Sequence, residues 1–292
     1  MKYIFLALAL VAFNVHADTP VQPIKEVFEP AKPTSGKWAM VAVVQWAPPS
    51  PTPMGVDAKA AEAFKQQNRD ALAAYIRQAA GHGAKMVITS EFGVDGYPAF
   101  PNVPPEDQDY RDRKDIQPYV ETIPGPTTNF FSALAKELGI YIHVGFAEVD
   151  PKTNKYYNAA VAFDPKGAIV GHYRKINLFE AENNFLSAGN KIETYDSPFG
   201  KVGLIVCADV YSDFPMANYA SAKVDVLALS TSWDVMNSGW NAFTAGATRV
   251  KAYLLAANQP YFPDSGVINP DGSAQSHIRQ TDGLAYGYLP LK

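Results

Sequence analysis

Short apolar runs alternate with amphipathic segments along this chain from about Lys37 onward. Residues 38–45 are almost continuously apolar, which is typical of a strand covered on both faces. From 57 to 81, apolar residues recur at helical spacing before a closing Gly81, and this pattern predicts an amphipathic helix. Repeated alternation of this kind predicts an α/β sheet with helices outside.

The later pattern continues the alternation of strands and helices. A strand over 85–91 ends on Glu91, and a long loop rich in Gly, Pro, Asp and Arg follows over 93–126. Loops of that length in compact domains are usually functional or mobile. Further strands are predicted over 140–149, 156–163, 168–173, 201–207 and 226–229, and further helices over 127–138, 215–222 and 241–257. We interpret 37–292 as a single domain.

The amino-terminal residues have the features of an export signal. Residues 1–17 combine Lys2, an apolar stretch over 3–15 and a small-residue cleavage site at Val15-His16-Ala17. The apolar stretch is shorter than the roughly 20 residues that span a bilayer. The sequence therefore predicts a secreted or periplasmic protein without a membrane span, with a Pro-rich arm over 18–36 that is extended or partly disordered.

Composition and charge narrow the range of possible partners and of possible roles for the cysteine. A net charge of -4 without a basic run argues against a nucleic-acid partner and favours a small-molecule substrate. Cys207 is the only cysteine, so an intrachain disulfide is impossible. The thiol is then a core residue, an intermolecular link or a reagent.

Motifs for several hydrolase and nucleotide-binding classes are missing. The chain has no His-Glu-x-x-His, Cys-x-x-Cys, Gly-x-Ser-x-Gly or Gly-rich phosphate loop, so we expect no metal and no cofactor. The histidines read as structural or solvated, although a Cys-His pair using His143 or His172 stays open.

Three chemically reactive side chains end three predicted strands: Glu91, Lys175 and Cys207. A thiol with an ordinary pKa of about 8.5 needs a proton acceptor and a nearby cation to act at neutral pH. Ligands of α/β sheets gather beyond the carboxyl ends of strands, so these three groups can meet there.

These residues and their surrounding motifs resemble the nitrilase superfamily of carbon-nitrogen hydrolases, in particular its vanin and biotinidase branch. The similar segments are Glu91-Phe92-Gly93-Val94-Asp95-Gly96-Tyr97, Lys175 with Asn177-Leu178-Phe179, Cys207 with Asp209 and Pro215, Ser232-Trp233 with Trp240, 156–161 and 254–258. The resemblance implies a nitrilase-like four-layer α-β-β-α sandwich. The single cysteine and the absence of Asn-x-Ser/Thr sites suggest a bacterial relative.

The resemblance also implies roles for individual residues. Cys207 is the expected nucleophile, Glu91 the general base, and Lys175 with the N–H of Ala208 the stabiliser of thiolate and oxyanion. Glu148 is expected to help position the substrate and Lys175. Expected substrate-binding residues are Tyr97, Glu182, Trp233 and Trp240; Glu182 is alternatively a brace for the Lys175 loop, and Asp209 a helix cap.

The expected function is hydrolysis of a linear amide, with pantetheine or a biotinyl amide such as biocytin as the substrate and vitamin salvage as the role. Two alternatives remain at this point. One is a catalytically silent periplasmic binding protein on the same scaffold. The other is a different activity of the superfamily, aliphatic amidase or nitrilase. The chain is expected to be a monomer or a homodimer.

Overall fold

The computed structural model describes Ile24 and residues 26–103, 108–233, 239–260, 264–279 and 282–292. The predicted signal over 1–17 and part of the arm over 18–36 lie outside these residues, so both stay predictions. No helix in the described ranges is long and apolar enough to cross a membrane.

The strands are β1 Glu26–Phe28, β2 Trp38–Gln45, β3 Met86–Ile88, β4 Tyr141–Asp150, β5 Lys155–Phe163, β6 Ile169–Arg174, β7 Thr194–Ser197, β8 Gly200–Val206, β9 Val226–Thr231, β10 Tyr253–Asn258, β11 Ser265–Ile268, β12 Ala274–Ile278 and β13 Gly283–Pro290. They form two mixed sheets. The strand order is β1-β13-β2-β3-β4-β5-β6 in the first sheet and β12-β11-β10-β9-β8-β7 in the second.

The helices are α1 Ala58–Gly81, α2 Arg113–Ile116, α3 Pro126–Leu138, α4 Asp213–Ser221 and α5 Gly239–Val250. Short 3-10 helices cover Glu180–Asn184 and Cys207–Tyr211. Local sequence sets the helix ends. The Asp57 side chain accepts the Ala60 N–H at 2.8 Å and caps α1, and α3 ends at Gly139 in the left-handed region, with φ 64°.

Three apolar interfaces stack the elements into four layers. Helices α1 and α3 pack on the first sheet through Leu72 and Leu134, and the two sheets meet through residues such as Ile88 and Val206. Helices α4 and α5 cover the second sheet through Met216, among others. This arrangement confirms the predicted α-β-β-α sandwich.

The structure differs from the sequence-based prediction at one helix and in the arm. The helix predicted over 241–257 ends at Val250, and 253–258 form β10, which pairs with β9 and β11. Lys251 has a φ of 60°, which ends the helix, and the apolar residues after it are buried as a central strand. The arm contributes β1, which pairs in parallel with β13, although no strand was predicted there.

The two sheets are joined at the edge where their parallel strands end. The Ser230 hydroxyl, at the end of β9, donates to the Thr89 carbonyl just after β3 at 2.8 Å. The Glu91 N–H donates to the Thr231 carbonyl at 3.4 Å. Strand ends from both sheets therefore share one edge of the sandwich, as expected for a ligand site in a parallel α/β sheet.

Candidate active site

Glu91 lies in the turn after β3 and is almost fully buried, with 1% of its surface exposed. Three donors hold its carboxylate. Its Oε1 accepts from Lys175 Nζ at 2.9 Å and from Asn158 Nδ2 at 2.6 Å, and its Oε2 accepts the Ser232 N–H at 2.8 Å. The carboxylate is therefore fixed in orientation by three separate parts of the chain.

Lys175 follows β6 and is buried between two carboxylates. Its Nζ lies 2.9 Å from Glu91 Oε1 and 2.6 Å from Glu182 Oε2. Burial alone lowers the pKa of Lys175, but the charges of Glu182 and Glu91 outweigh it and hold the pKa well above its usual value. Lys175 is therefore a permanent ammonium in this site.

Asn158, on β5, links the two carboxylates. Its Nδ2 donates to Glu91 Oε1 at 2.6 Å and to Glu182 Oε1 at 2.8 Å. Its carbonyl accepts the Lys175 N–H at 2.8 Å. One amide side chain thus sets the spacing of both glutamates, while its backbone positions the lysine.

Cys207 begins the 3-10 helix after β8 and remains partly exposed. Its φ of 43° lies in the left-handed region, which is unusual for a residue with a side chain and often marks a functional turn. Because the helix starts here, the N–H of Ala208 lies in the first turn, where backbone donors have no partner within the helix. The turn can therefore present a thiol and a free N–H together.

The charges around the thiol favour its neutral form before substrate binds. Burial and the nearby charge of Glu91 raise the pKa of Cys207, while the charge of Lys175 acts in the opposite direction. Burial also raises the pKa of Glu91, with a further contribution from Glu182, against the opposing effect of Lys175. The site thus pairs a protonated thiol with a carboxylate that readily accepts a proton.

Asp209 connects the thiol turn to the lysine turn. It is fully buried, and its Oδ2 accepts the Tyr173 hydroxyl at 2.8 Å and the Val206 N–H at 3.1 Å. Its Oδ1 accepts the Asn177 N–H at 2.8 Å and the Ile176 N–H at 3.2 Å. Burial raises the pKa of Asp209 to about 6 despite these donors. Its role is wider than the predicted helix cap.

Glu148 does not contact Lys175, although the sequence analysis expected it to position that residue. Its carboxylate binds Arg174, at 2.9 Å from Nε, and His172, at 2.8 Å from Nε2. Burial tends to raise the pKa of Glu148, but these two hydrogen bonds lower it overall. The carboxylate that contacts Lys175 belongs to Glu182, so the position expected for Glu148 is taken by Glu182.

The predicted aromatic residues are placed differently from one another. Tyr97 lies near the catalytic carboxylate: burial, and then the charge of Glu91, raise the pKa of its phenol. Trp233 packs edge-on against Tyr211, with ring centroids 5.9 Å apart. Trp240 instead stacks on His277, with a centroid distance of 3.6 Å.

The sequence left open a pair between Cys207 and either His143 or His172, and the structure shows where both histidines lie. His143 is buried and its Nε2 is 2.6 Å from the Tyr195 hydroxyl, and burial lowers its pKa to about 3. His172 binds Glu148. In the contacts of the described chain, neither histidine is paired with Cys207.

Several site residues escaped the sequence analysis: Asn158, Thr231, the N–H of Ser232 and Gln259, whose Nε2 donates to the Glu91 carbonyl at 2.6 Å. Asn158 had a detectable signal, because it is a polar residue within an otherwise apolar buried strand. The others lie at strand ends, where polar residues are common.

The fold and the buried Glu-Lys-Cys arrangement define an α/β protein with a thiol site at the strand ends. The family model of carbon-nitrogen hydrolases matches residues 40–291. The chain therefore belongs to the carbon-nitrogen hydrolase family, within the nitrilase superfamily, which confirms the resemblance identified from its motifs.

Curated relatives include two kinds of hydrolase. A pantetheinase of Bos taurus is 28% identical over 267 residues, which cover 78% of this chain and 50% of that protein. An omega-amidase of Homo sapiens is 26% identical over 249 residues, covering 78% of this chain and 85% of that protein. The chain spans about half the length of the pantetheinases that it matches.

Solved structures support the fold. A nitrilase-superfamily protein of Saccharomyces cerevisiae has a TM-score of 0.71 and 20% identity, covering 88% of this chain and 93% of its own. An amidase of Nesterenkonia sp. has a TM-score of 0.69 and 19% identity, covering 86% and 90% respectively.

Proposed function

We propose that this chain is a thiol amidase that hydrolyses a linear carbon-nitrogen bond through a thioester on Cys207. The observation that carries the proposal is the buried Glu91–Lys175 pair, 2.9 Å apart, beside a partly exposed thiol on a left-handed backbone. Such a group can supply the proton acceptor and the cation that an unpaired cysteine needs.

Glu91 is the base of the first step. As Cys207 attacks the amide carbonyl, the thiol proton passes to Glu91, whose raised pKa makes protonation favourable. Lys175 cannot take this proton, because its own pKa is held above the usual value and it is already charged. Proton transfer to Glu91 also lowers the negative charge that the buried site must hold.

The developing oxyanion requires donors. The Lys175 ammonium and the N–H of Ala208 are the candidates, since one follows β6 and the other begins the turn that carries the thiol. A single donor of this kind stabilises a transition state by about 3 kcal/mol.

In the rest of the reaction Glu91 acts first as an acid and then again as a base. Glu91 returns the proton to the nitrogen as the carbon-nitrogen bond breaks, so the amine leaves in neutral form. Water then attacks the thioester and gives one proton to Glu91. The carbon-sulfur bond breaks, the acid is released, and the proton returns to the Cys207 sulfur.

For the substrate we propose a pantetheine-like or biotinyl amide, and export by the signal over 1–17 would give the enzyme a role in vitamin salvage outside the cytoplasm. Similarity to the pantetheinases supports the first choice. Similarity to the omega-amidases supports a simple aliphatic amide as the alternative. A silent binding protein is disfavoured by the intact contacts among Glu91, Lys175 and Glu182.

The test is a substrate panel of pantetheine, biocytin, aliphatic amides and nitriles, with intact-protein mass spectrometry for an acyl adduct. We expect turnover of at least one amide and an adduct on Cys207. Cys207→Ala should lose both while keeping the circular dichroism spectrum of the wild type. Full turnover by that variant would reject Cys207 as the nucleophile. No turnover and no adduct with any compound would favour the binding protein.

A further inference from the structure

Asp109 lies beside the catalytic carboxylates because of how its neighbour Tyr110 packs. The Tyr110 ring is fully buried, with its centroid 6.3 Å from that of Phe92 and 5.7 Å from that of Phe185. Phe92 directly follows the catalytic Glu91, and Phe185 directly follows the short helix that carries the second glutamate. Tyr110 is therefore wedged between these two segments, and Asp109 is held next to it.

The carboxylate of Asp109 has no cationic partner within the described chain. One oxygen accepts the N–H of Tyr110 at 2.7 Å, and no described Lys, Arg or His lies within 4.0 Å of it. The side chain is only partly buried. Burial, and then the charge of Glu182, raise its pKa well above the usual range, with Lys175 opposing them weakly. A positive group from outside the chain would relieve this unfavourable position.

Tyr97 and Tyr110 pack on the same ring, that of Phe92, so Tyr97 lies next to the segment of Glu91 and to the segment of Asp109. Burial raises the pKa of its phenol, and the next contributions come from the charges of Glu91 and Asp109. The Tyr97 ring packs edge-on against Phe92, with centroids 5.5 Å apart. A single side chain thus borders the catalytic carboxylate on one side and the unpaired one on the other.

The charges in this pocket do not balance. Glu91, Glu182 and Asp109 contribute three carboxyl groups, and Lys175 is the cation that acts on all of them. Its ammonium is already bound by the two glutamates. A cationic group that entered the pocket would be the partner that Asp109 lacks and would favour its ionised form, whereas an anion would oppose ionisation.

We propose that Asp109 is a specificity-determining residue that binds a cationic group of the substrate and disfavours a substrate carboxylate. This inference rests on the proposed amidase function and adds the charge class of the preferred substrate. A neutral amide lies between the two charged classes in the expected order.

Three amides with the same four-carbon acyl chain test it: 4-aminobutyramide as the cation, butyramide as the neutral compound and succinamate as the anion. For the wild type we expect kcat/KM to fall in that order. In Asp109→Asn the ratio between the cation and the anion should shrink about tenfold, as expected of one close charge in a partly exposed pocket, mainly through KM. Butyramide is the neutral reference, and kcat/KM for each charged amide is expressed relative to it in both proteins. An unchanged ratio would overturn the inference.

A matched control comes from the same loop. Asp112 is exposed, and its Oδ1 caps α2 by accepting the N–H groups of Lys114 and Asp115 at 2.7 and 3.2 Å. Asparagine is an equally good cap, so Asp112→Asn changes the charge of the loop by the same amount without entering the pocket. We expect the wild-type ratio from it, and a shrunken ratio would assign the effect to general loop charge.

Calorimetry separates this inference from the proposed function. Binding of the same three amides is measured with Cys207→Ala, with and without Asp109→Asn. A preference for the cation that is lost with Asp109→Asn supports the inference even if the wild type hydrolyses none of the three. Hydrolysis without any charge preference supports the amidase and rejects the role of Asp109.

Discussion

The carboxylate of Asp209 accepts the main-chain N–H of Asn177 at 2.8 Å, and so ties the turn after Cys207 to the turn after Lys175. A second bond closes the same link, since Asn177 Nδ2 donates to the Ala208 carbonyl at 2.9 Å. These turns come from different sheets, β8 in one and β6 in the other. The position of the Cys207 thiol relative to the Lys175 ammonium therefore depends on this pair.

We expect Asp209→Ala to reduce kcat by about 100-fold, because small displacements of reacting groups have effects of that size. It should also lower the free energy of unfolding by about 3 kcal/mol, since buried N–H groups lose their acceptor. Steady-state kinetics with the best amide of the panel and urea unfolding measure the two effects.

Asp209→Asn is the control, because its amide oxygen can still accept the N–H of Asn177 while the opposite oxygen, which binds Tyr173 and Val206, is lost. We expect kcat between those of Asp209→Ala and the wild type. Equal losses of stability with an unchanged kcat in both variants would show that Asp209 only supports the fold.

A pair of Glu→Gln variants distinguishes the two glutamates that the sequence proposed near Lys175. Glu182→Gln removes the charge 2.6 Å from the Lys175 ammonium. We expect kcat to fall by about 10- to 100-fold, the range for a hydrogen bond to a charged group. Glu148→Gln, remote from the thiol, should change kcat by no more than about twofold and only lower the melting temperature.

Melting curves and initial rates on the same preparations test this pair. A large loss of kcat in Glu148→Gln with little effect in Glu182→Gln would restore the assignment expected from the sequence and contradict the geometry.

Two of the three expected catalytic residues, Glu91 and Cys207, come after apolar runs. Runs of this kind mark buried strands, and their ends lie at one edge of the sheet. Lys175 instead follows Gly171-His172-Tyr173-Arg174, which is not an apolar run, and its role was expected from the resemblance of its motif to the nitrilase superfamily. Glu182 was harder to assign, because it belongs to a short helical turn without an apolar pattern of its own.

The separation of Glu148 from Lys175 has a geometric cause, which becomes visible only in the pairing of the strands. Glu148 lies opposite Tyr157, and Ala147 lies opposite Asn158. Adjacent strand residues point to opposite faces of a sheet, so Glu148 and Asn158 face away from each other. Asn158 contacts Glu91, which places Glu148 on the far side of the sheet from the catalytic carboxylate.

Thr231 allows the state of the thiol to be tested directly. It is fully buried at the end of β9, and its hydroxyl has no hydrogen-bond partner among the described residues. The hydroxyl favours the thiolate of Cys207 and so acts to lower the pKa of the thiol, against the larger effect of burial. Thr231→Val keeps the shape of the side chain but removes the hydroxyl. We expect alkylation of Cys207 by iodoacetamide at pH 7 to slow by about three- to tenfold, the equivalent of one hydrogen bond.

Thr231→Ser keeps the hydroxyl and should react at close to the wild-type rate. If Thr231→Val is alkylated as fast as the wild type and Thr231→Ser, the hydroxyl has no influence on the thiolate.

Asp95 should make stability depend on pH. It is fully buried in the turn after Glu91, one oxygen accepts the Ala147 N–H at 2.7 Å, and burial raises its pKa to about 7 from 3.8. At this residue the folded state therefore binds more protons than the unfolded state between these values, so the contribution of Asp95 to stability is largest below pH 4 and falls as the pH rises to 7.

From pH 5 to pH 8 this group should lower the free energy of unfolding of the wild type by about 3 kcal/mol, because each pKa unit is worth about 1.4 kcal/mol. Asp95→Asn keeps the acceptor for Ala147 but cannot ionise, so it should lack this part of the decline. Urea unfolding of both proteins at the two pH values measures the difference, in which the contributions of all other titrating groups cancel. Parallel pH profiles for the two proteins would mean that Asp95 is already ionised at pH 5 in the folded chain, held in that state by Lys65 and Arg69, whose charges oppose the effect of burial.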